Sequence, residues 1–160
     1  MESPVREIYL LSYNSRLFPA HWGIWIPYIA NPSVGKVIHV TGDAASGFQH
    51  EFKRNYNLLT TGRAHKLTLL AKVSSRHVTD TLGDGLFSID TIAVDDIERQ
   101  ALAIEAPGKS LMSAGAKANI GRKVEIRNCQ TWIWDLVSAL VADGIFPESA
   151  LNELQKAPKN

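Results

Sequence analysis

The run from Asn128 to Val141 most constrains what this chain can fold into. Ile133, Val137, Leu140 and Val141 recur with the period of one helix face. A helix with an apolar stripe has to bury that stripe against another layer. Asn128 suits the N-cap position, since its side-chain oxygen can accept an N–H from two or three residues on. Cys129, the single cysteine of the chain, then occupies the first helical position. The positive end of the helix dipole favours a thiolate there, which is where a nucleophile would be placed. A lone cysteine is ordinarily a small buried apolar residue, so the rest of the chain has to decide between the two.

The upstream part reads as strands. Val5 to Tyr13 is rich in β-formers. In the stretch 18–27, Trp22, Ile24 and Ile26 alternate onto one face, and His21, Gly23 and Trp25 point to the other. Gly23 leaves a gap two residues from His21, as a strand glycine does where another element approaches closely. Residues 30–35 form a turn by composition. The stretch 36–41 returns as a strand, with Ile38 and Val40 on one face and Val37, His39 and Thr41 on the other. His21 and His39 both carry odd numbers. Any antiparallel register whose pairs sum to an even number therefore brings them to the same face. Either histidine alone would be an ordinary hydrogen-bonded strand residue; two on one face beside a glycine gap weaken that reading.

Residues 48–56 alternate charged and aromatic side chains and read as a solvated strand; 65–74 reads as another strand. His50, His65 and His77 lie in polar surroundings and read as surface residues. A helix is expected over 91–104, with Val94, Ile97, Ala101 and Ile104 on its stripe and acidic residues in its first turn. The small, glycine-bearing segment 110–121 reads as a mobile loop bordering the site, and 122–127 as a short strand. The helix from Cys129 should stop near Gly144, and a last helix should cover 148–156. The sum is a single α+β domain spanning 1–160, a small antiparallel sheet packed against the Cys129 helix.

Composition narrows the function. A net charge of +1 gives no electrostatic case for nucleic acid or an anionic membrane. One cysteine cannot close an internal disulfide, and the acidic N-terminus lacks the pattern of a signal peptide. No apolar run approaches the roughly 20 residues that span a bilayer. A cytoplasmic protein without stable membrane insertion is the expectation. The histidines and the cysteine show no metal-ligand spacing, and no glycine-rich phosphate loop follows a strand, so neither metal nor cofactor is expected. A thiol–imidazole arrangement is the one constellation whose parts are all present. It needs a cysteine at a helix start, a histidine to take its proton and a third polar group to orient that ring.

Three short motifs, His21-Trp22-Gly23-Ile24-Trp25-Ile26, Val37-Ile38-His39-Val40 and Asn128-Cys129-Gln130-Thr131-Trp132-Ile133, occur in that order. Together they resemble the lecithin:retinol acyltransferase-like family, whose fold is a circularly permuted, NlpC-type papain-like one. The resemblance covers roughly residues 5–141, with the segment between His39 and Cys129 matched only in outline. It implies Cys129 as nucleophile, His21 as general base and His39 as the residue that orients the His21 ring. Trp22, Trp25, Asn128 and Gln130 stand as candidate substrate contacts. The implied activity is hydrolysis or acyl transfer on an amide, ester or thioester through a Cys129 thioester, with a small-molecule or acyl substrate. Pro19 stands where many phospholipid-acting members carry a tyrosine, and the tail from Pro147 is short and polar, so a bilayer lipid is not the expected substrate. The competing class is a small-molecule or protein-binding module that keeps the fold without the chemistry.

Overall fold

A computed structural model of the chain describes residues 4–13, 20–43, 45–108 and 128–159. Its strands are β1 (Val5–Tyr13), β2 (His21–Pro27), β3 (Val34–Asp43), β4 (Gly47–Asn57), β5 (His65–Ser74) and β6 (Ser88–Asp90). Its helices are α1 (Asp96–Ala103), α2 (Cys129–Ala142) and α3 (Ser149–Lys156). The strands form one sheet in the order β5-β1-β2-β3-β4-β6, and every neighbouring pair is antiparallel. The molecule is thus α+β, with the helices and the sheet sharing one main core.

The strand alternation decides which face meets α2. Leu10, Trp22, Ile24, Ile26, Ile38, Val40 and Phe52 point to one side and pack against Cys129, Trp132, Ile133, Leu136, Val137 and Leu140. Each such fully buried side chain contributes about 1.5–3 kcal/mol of apolar transfer energy. Ala150 and Leu154 of α3 join the same core. The opposite sheet face carries a smaller cluster of Leu11, Tyr13, Trp25 and Val37, flanked by Tyr9, Tyr56 and Leu58.

The start of α2 is fixed by its cap. The Asn128 side chain accepts from the backbone N–H groups of Gln130 and Thr131, and the Thr131 hydroxyl accepts from that of Asn128. This reciprocal box satisfies three otherwise orphaned donors. The helix stops at Asp143, and Gly144 follows at φ +75°, a conformation that suits glycine.

Three expectations need correction. The helix expected over 91–104 is confined to Asp96–Ala103. Asp95 is its extended N-cap and accepts from the Glu98 N–H, and residues 91–94 are an irregular connection from strand β6, which pairs with β4. The strand at 48–56 is not solvated either. It lies between β3 and β6, with Phe52 fully buried and Arg54 only 3% exposed. The charges there are internal. Lys36 on β3 donates to Asp95 and, at 2.6 Å, to Glu98. Arg54 donates at 2.9 Å to Glu98 and at 3.0 Å to Asp90. Removing one partner from a buried pair of this kind costs about 3–5 kcal/mol, because the other charge is left in the interior.

The three remaining histidines are half-buried and partnered rather than freely exposed. The His50 ring lies edge-on to Trp132 and bonds the Ile104 carbonyl, His65 bonds the Arg63 carbonyl, and His77 bonds Asp96. The loop expected at 110–121 and the strand expected at 122–127 lie outside the described residues. Among the described residues, no helix is long and apolar enough to cross a membrane.

Candidate active site

His21 opens β2 and His39 lies in the middle of β3. Strand alternation turns both rings to the sheet face opposite α2, beside Tyr13. Nε2 of His21 is 2.7 Å from Nδ1 of His39, and the rings meet edge-on with centroids 4.9 Å apart. Gly23 allows this approach. A Cβ at that position would lie 3.1 Å from Cγ1 of Val37 and 3.2 Å from Cβ of His39. On the far side of His39, Nε2 is 2.9 Å from Oε1 of Glu51, its cross-strand neighbour on β4.

This chain of contacts sets the tautomers. The Glu51 carboxylate can only accept, so Nε2 of His39 donates to it. A neutral His39 then has an unprotonated Nδ1, which accepts from Nε2–H of His21. A neutral His21 with its proton on Nε2 keeps the lone pair on Nδ1. That nitrogen has no hydrogen-bond partner among the described residues and is the basic atom of the pair. Both rings are neutral near physiological pH. Burial pushes the His21 pKa down to about 3, helped by the nearby His39, Arg63 and Lys53 and opposed by Glu51. Burial, with Lys53, pushes His39 down to about 3 as well.

Cys129 reaches β2 through an opening in the sheet. The β2–β3 ladder runs from Pro27↔Gly35 to Ile24↔Ile38 and goes no further. Tyr28 N–H donates to Val34 at 2.8 Å, so even-numbered residues of β2 turn their backbone groups toward β3. Where the strands part, the backbone groups of Ala20 and Trp22 lose that partner. The start of α2 and the C-terminal segment take its place. Ala20 N–H donates to the Lys159 carbonyl at 2.9 Å. The Gln130 side-chain amide donates to the carbonyls of Ala20 and Lys159, both at 2.9 Å. The Cys129 thiol points at the Ala20 carbonyl, 3.9 Å away.

Cys129 is 7% exposed. Burial pushes its thiol pKa up, while the backbone N–H groups of Trp22, Cys129 and Gln130 favour the thiolate. The sulfur therefore sits against the peptide groups on both sides of His21, and the His21 ring leans onto the other sheet face. No hydrogen bond joins Cys129 to His21 or His39 among the described residues. The expected convergence thus splits in two: the histidines meet each other directly, and the thiol lies next to the backbone that carries one of them.

The four candidate substrate contacts all carry structural roles. Trp22 and Trp25 are 0% and 1% exposed, one in each core, and the Trp22 indole N–H is spent on the Pro158 carbonyl at 2.8 Å. Burying a Trp ring takes a large apolar area out of water, which is the contribution both make here. Asn128 is consumed by the helix cap, and Gln130 clamps Ala20 to Lys159. Glu51 is the residue that sequence reasoning missed. A solvated reading of its strand hides it, although alternation along β4 places Glu51 and Lys53 on the histidine-bearing face. No group of three or more His, Cys, Asp or Glu among the described residues could hold a metal ion.

A family model described as a family of unknown function (DUF6540) matches residues 8–147, and the chain belongs to that family. No curated protein and no solved structure matches the chain.

Proposed function

We propose that this DUF6540 member performs thiol-dependent acyl chemistry on an amide, ester or thioester, with Cys129 as nucleophile and His21 as general base. The observation that carries this reading is the Glu51–His39–His21 chain, which leaves the lone pair on Nδ1 of His21. The accompanying fold reading is a permuted papain-like, NlpC-type arrangement. It is supported by a helix-start cysteine packed on an antiparallel sheet, beside a histidine from one strand and its partner from the next.

In this mechanism Sγ attacks the substrate carbonyl as its proton passes to Nδ1 of His21. The Cys129 backbone N–H, which the capping box does not take, supplies part of the stabilisation of the oxyanion. Collapse breaks the bond to the leaving group, which takes the proton from Nδ1, and leaves a Cys129 thioester. Water, or a second acceptor, then gives its proton to Nδ1 and releases the acyl group, and that proton returns to sulfur. Sulfur and Nδ1 must come within about 3 Å across the β2–β3 opening for the first transfer. Neutral thiol and neutral imidazole are the resting partners, so attack depends on base assistance rather than on a standing ion pair.

Mass spectrometry of the intact protein incubated with a neutral aryl thioester tests this. An acyl adduct on Cys129, absent in Cys129→Ala and formed about 100- to 10,000-fold more slowly in His21→Ala, is the expected result. The second reading, a non-catalytic binding module, is favoured by the buried neutral thiol with no histidine bonded to it. It prevails if Cys129→Ala keeps full biological activity and unchanged stability.

A further inference from the structure

We infer that the free edge of β6 is an interface at which two copies of this chain pair antiparallel, centred on Ile89, and join their sheets. β6 ends the sheet and has β4 as its one neighbour among the described strands. The pleat decides which of its backbone groups are left over. Tyr28 donates to Val34, so even-numbered residues of β3 face β2 and the odd-numbered Val37 and His39 face β4. Lys53 and Glu51 meet them from β4, which leaves Phe52 and Arg54 to bond Asp90 and Ser88. The N–H and C=O of Ile89 therefore point away from the sheet.

The two edges of the sheet are finished differently. β5, the other edge, carries the exposed Lys66 and Lys72, and a bulge interrupts its pairing with β1. Edge lysines and bulges guard against pairing with another chain. The β6 edge has neither, and its shortness is its one guard. From Leu86 to Ile92 the one charged residue is Asp90, which Arg54 neutralises at 3.0 Å. Leu86, Phe87, Ile89 and Ile92 are 68%, 53%, 52% and 71% exposed, so the apolar edge runs beyond the strand on both sides.

These side chains select both the occupant and the register. Outward-facing residues of two antiparallel copies bond each other only in registers whose pairs have an even sum. Ile89 against Ile89 sets Ser88 against Asp90, Phe87 against Thr91 and Leu86 against Ile92. A shift of two residues one way sets Asp90 against Asp90, and the other way sets Leu86 against Asp90. Like charges directly opposite are destabilising, and a leucine facing a carboxylate loses its apolar partner. Each copy thus supplies the apolar partner that the other lacks, as a two-fold interface requires. At roughly 100 Å² for the exposed part of each side chain, the four with their strand present about 500 Å² per copy. The pair then buries about 1,000 Å², the small end of specific interfaces, so a dissociation constant of about micromolar or above is expected. The interface does not rest on the thiol reading.

Sedimentation velocity of the full-length chain from about 1 μM to about 1 mM reads the association directly. The expected result is a reversible monomer–dimer transition within that range. Ile89→Lys sets two ammonium groups opposite each other on the axis. It should leave the chain monomeric throughout, with an unchanged circular dichroism spectrum. Leu67→Lys on the β5 edge should leave the transition as it is. Hydrogen exchange gives a second readout: the Ile89 amide should be open in dilute solution and gain about tenfold or more in protection where the dimer forms. Ile89→Cys in a Cys129→Ala background should give a disulfide-linked dimer on mild oxidation, since bonded cross-strand pairs stand about 5.5 Å apart at Cα. Ile29→Cys, in the same background and also at an exposed position, should not. A chain that stays monomeric at about 1 mM would overturn the interface. So would a dimer that survives Ile89→Lys or is lost with Leu67→Lys, or equal cross-linking of the two cysteines. Protection of Ile89 that requires an added extended peptide would assign the edge to a different protein and overturn the pairing of copies.

Discussion

Gly23 lies against His39 across the mouth of the β2–β3 ladder, so that a Cβ on the glycine would stand 3.2 Å from that of the histidine. Its backbone φ is not in the left-handed region, so the constraint is purely one of space. Gly23→Ala should push His39 away from His21 or Val37 away from the strand. Overpacking of this size costs about 1–3 kcal/mol. Chemical denaturation should register that loss, and acylation of Cys129 should fall further than the loss of folded protein explains. An alanine variant with wild-type labelling kinetics would show that the histidine spacing does not matter.

The polar chain predicts an unequal mutational series. His21→Ala should lose about 100- to 10,000-fold in acylation rate, the usual worth of a general base. His39→Gln should cost less, since a side-chain carbonyl can still accept from Nε2–H of His21. Glu51→Gln can present its amide N–H instead, which would reverse the donors and place the His21 proton on Nδ1. A wrong tautomer of this kind can cost up to about 10,000-fold. Nitrogen-15 shifts of the imidazoles report the tautomer directly: unprotonated Nδ1 on His21 in the wild type, and a mixture in the Glu51 variant.

Alkylation of Cys129 should be slow near neutral pH. Burial raises its thiol pKa and outweighs the helix-start N–H groups. The rate with iodoacetamide should therefore lie below that of the unfolded chain at neutral pH and keep climbing above the ordinary thiol range. Rapid modification at neutral pH would mean that the thiolate is already present and that the resting state is an ion pair after all.

Stability should fall as the solution is acidified. His21 and His39 have folded pKa values near 3, below the ordinary 6.5 they take when unfolded. Between these values the unfolded chain binds more protons, so acid favours unfolding. The contribution is fully present above about 6.5 and is lost progressively as pH falls toward 3. Urea midpoints measured across that window should drop, and the slope should flatten in His21→Gln and His39→Gln. A wild-type midpoint independent of pH there would show that the rings are not held neutral by the fold.

The sequence reveals what repeats and hides what depends on a neighbour. Alternation alone separates Trp22, Ile24 and Ile26 from His21, Gly23 and Trp25, and the parity of His21 and His39 puts them on one face once the register has an even sum, as it does. The cap at Asn128 is equally local, and the helix begins where it should. Arg54 and Lys36 are different. Their burial depends on carboxylates about 40 to 60 positions away, and no pattern within β3 or β4 announces it. The same holds for Glu51, whose meaning comes from its register with His39. The opening between β2 and β3 is invisible for another reason: Lys159 and Gln130 supply the hydrogen bonds that a longer ladder would have made, and both are remote in sequence.

The internal ion network has a consequence for how the molecule comes apart. Lys36 and Arg54 belong to a hairpin; Asp95 and Glu98 belong to a segment that arrives about forty residues later. Neither set can be dehydrated alone without stranding its charge, so partial opening that separates them is penalised from both sides. Residues of β3, β4 and α1 should therefore exchange their amide hydrogens in a single cooperative step, even though α1 is a short peripheral helix that would fray first if apolar contact were its sole anchor.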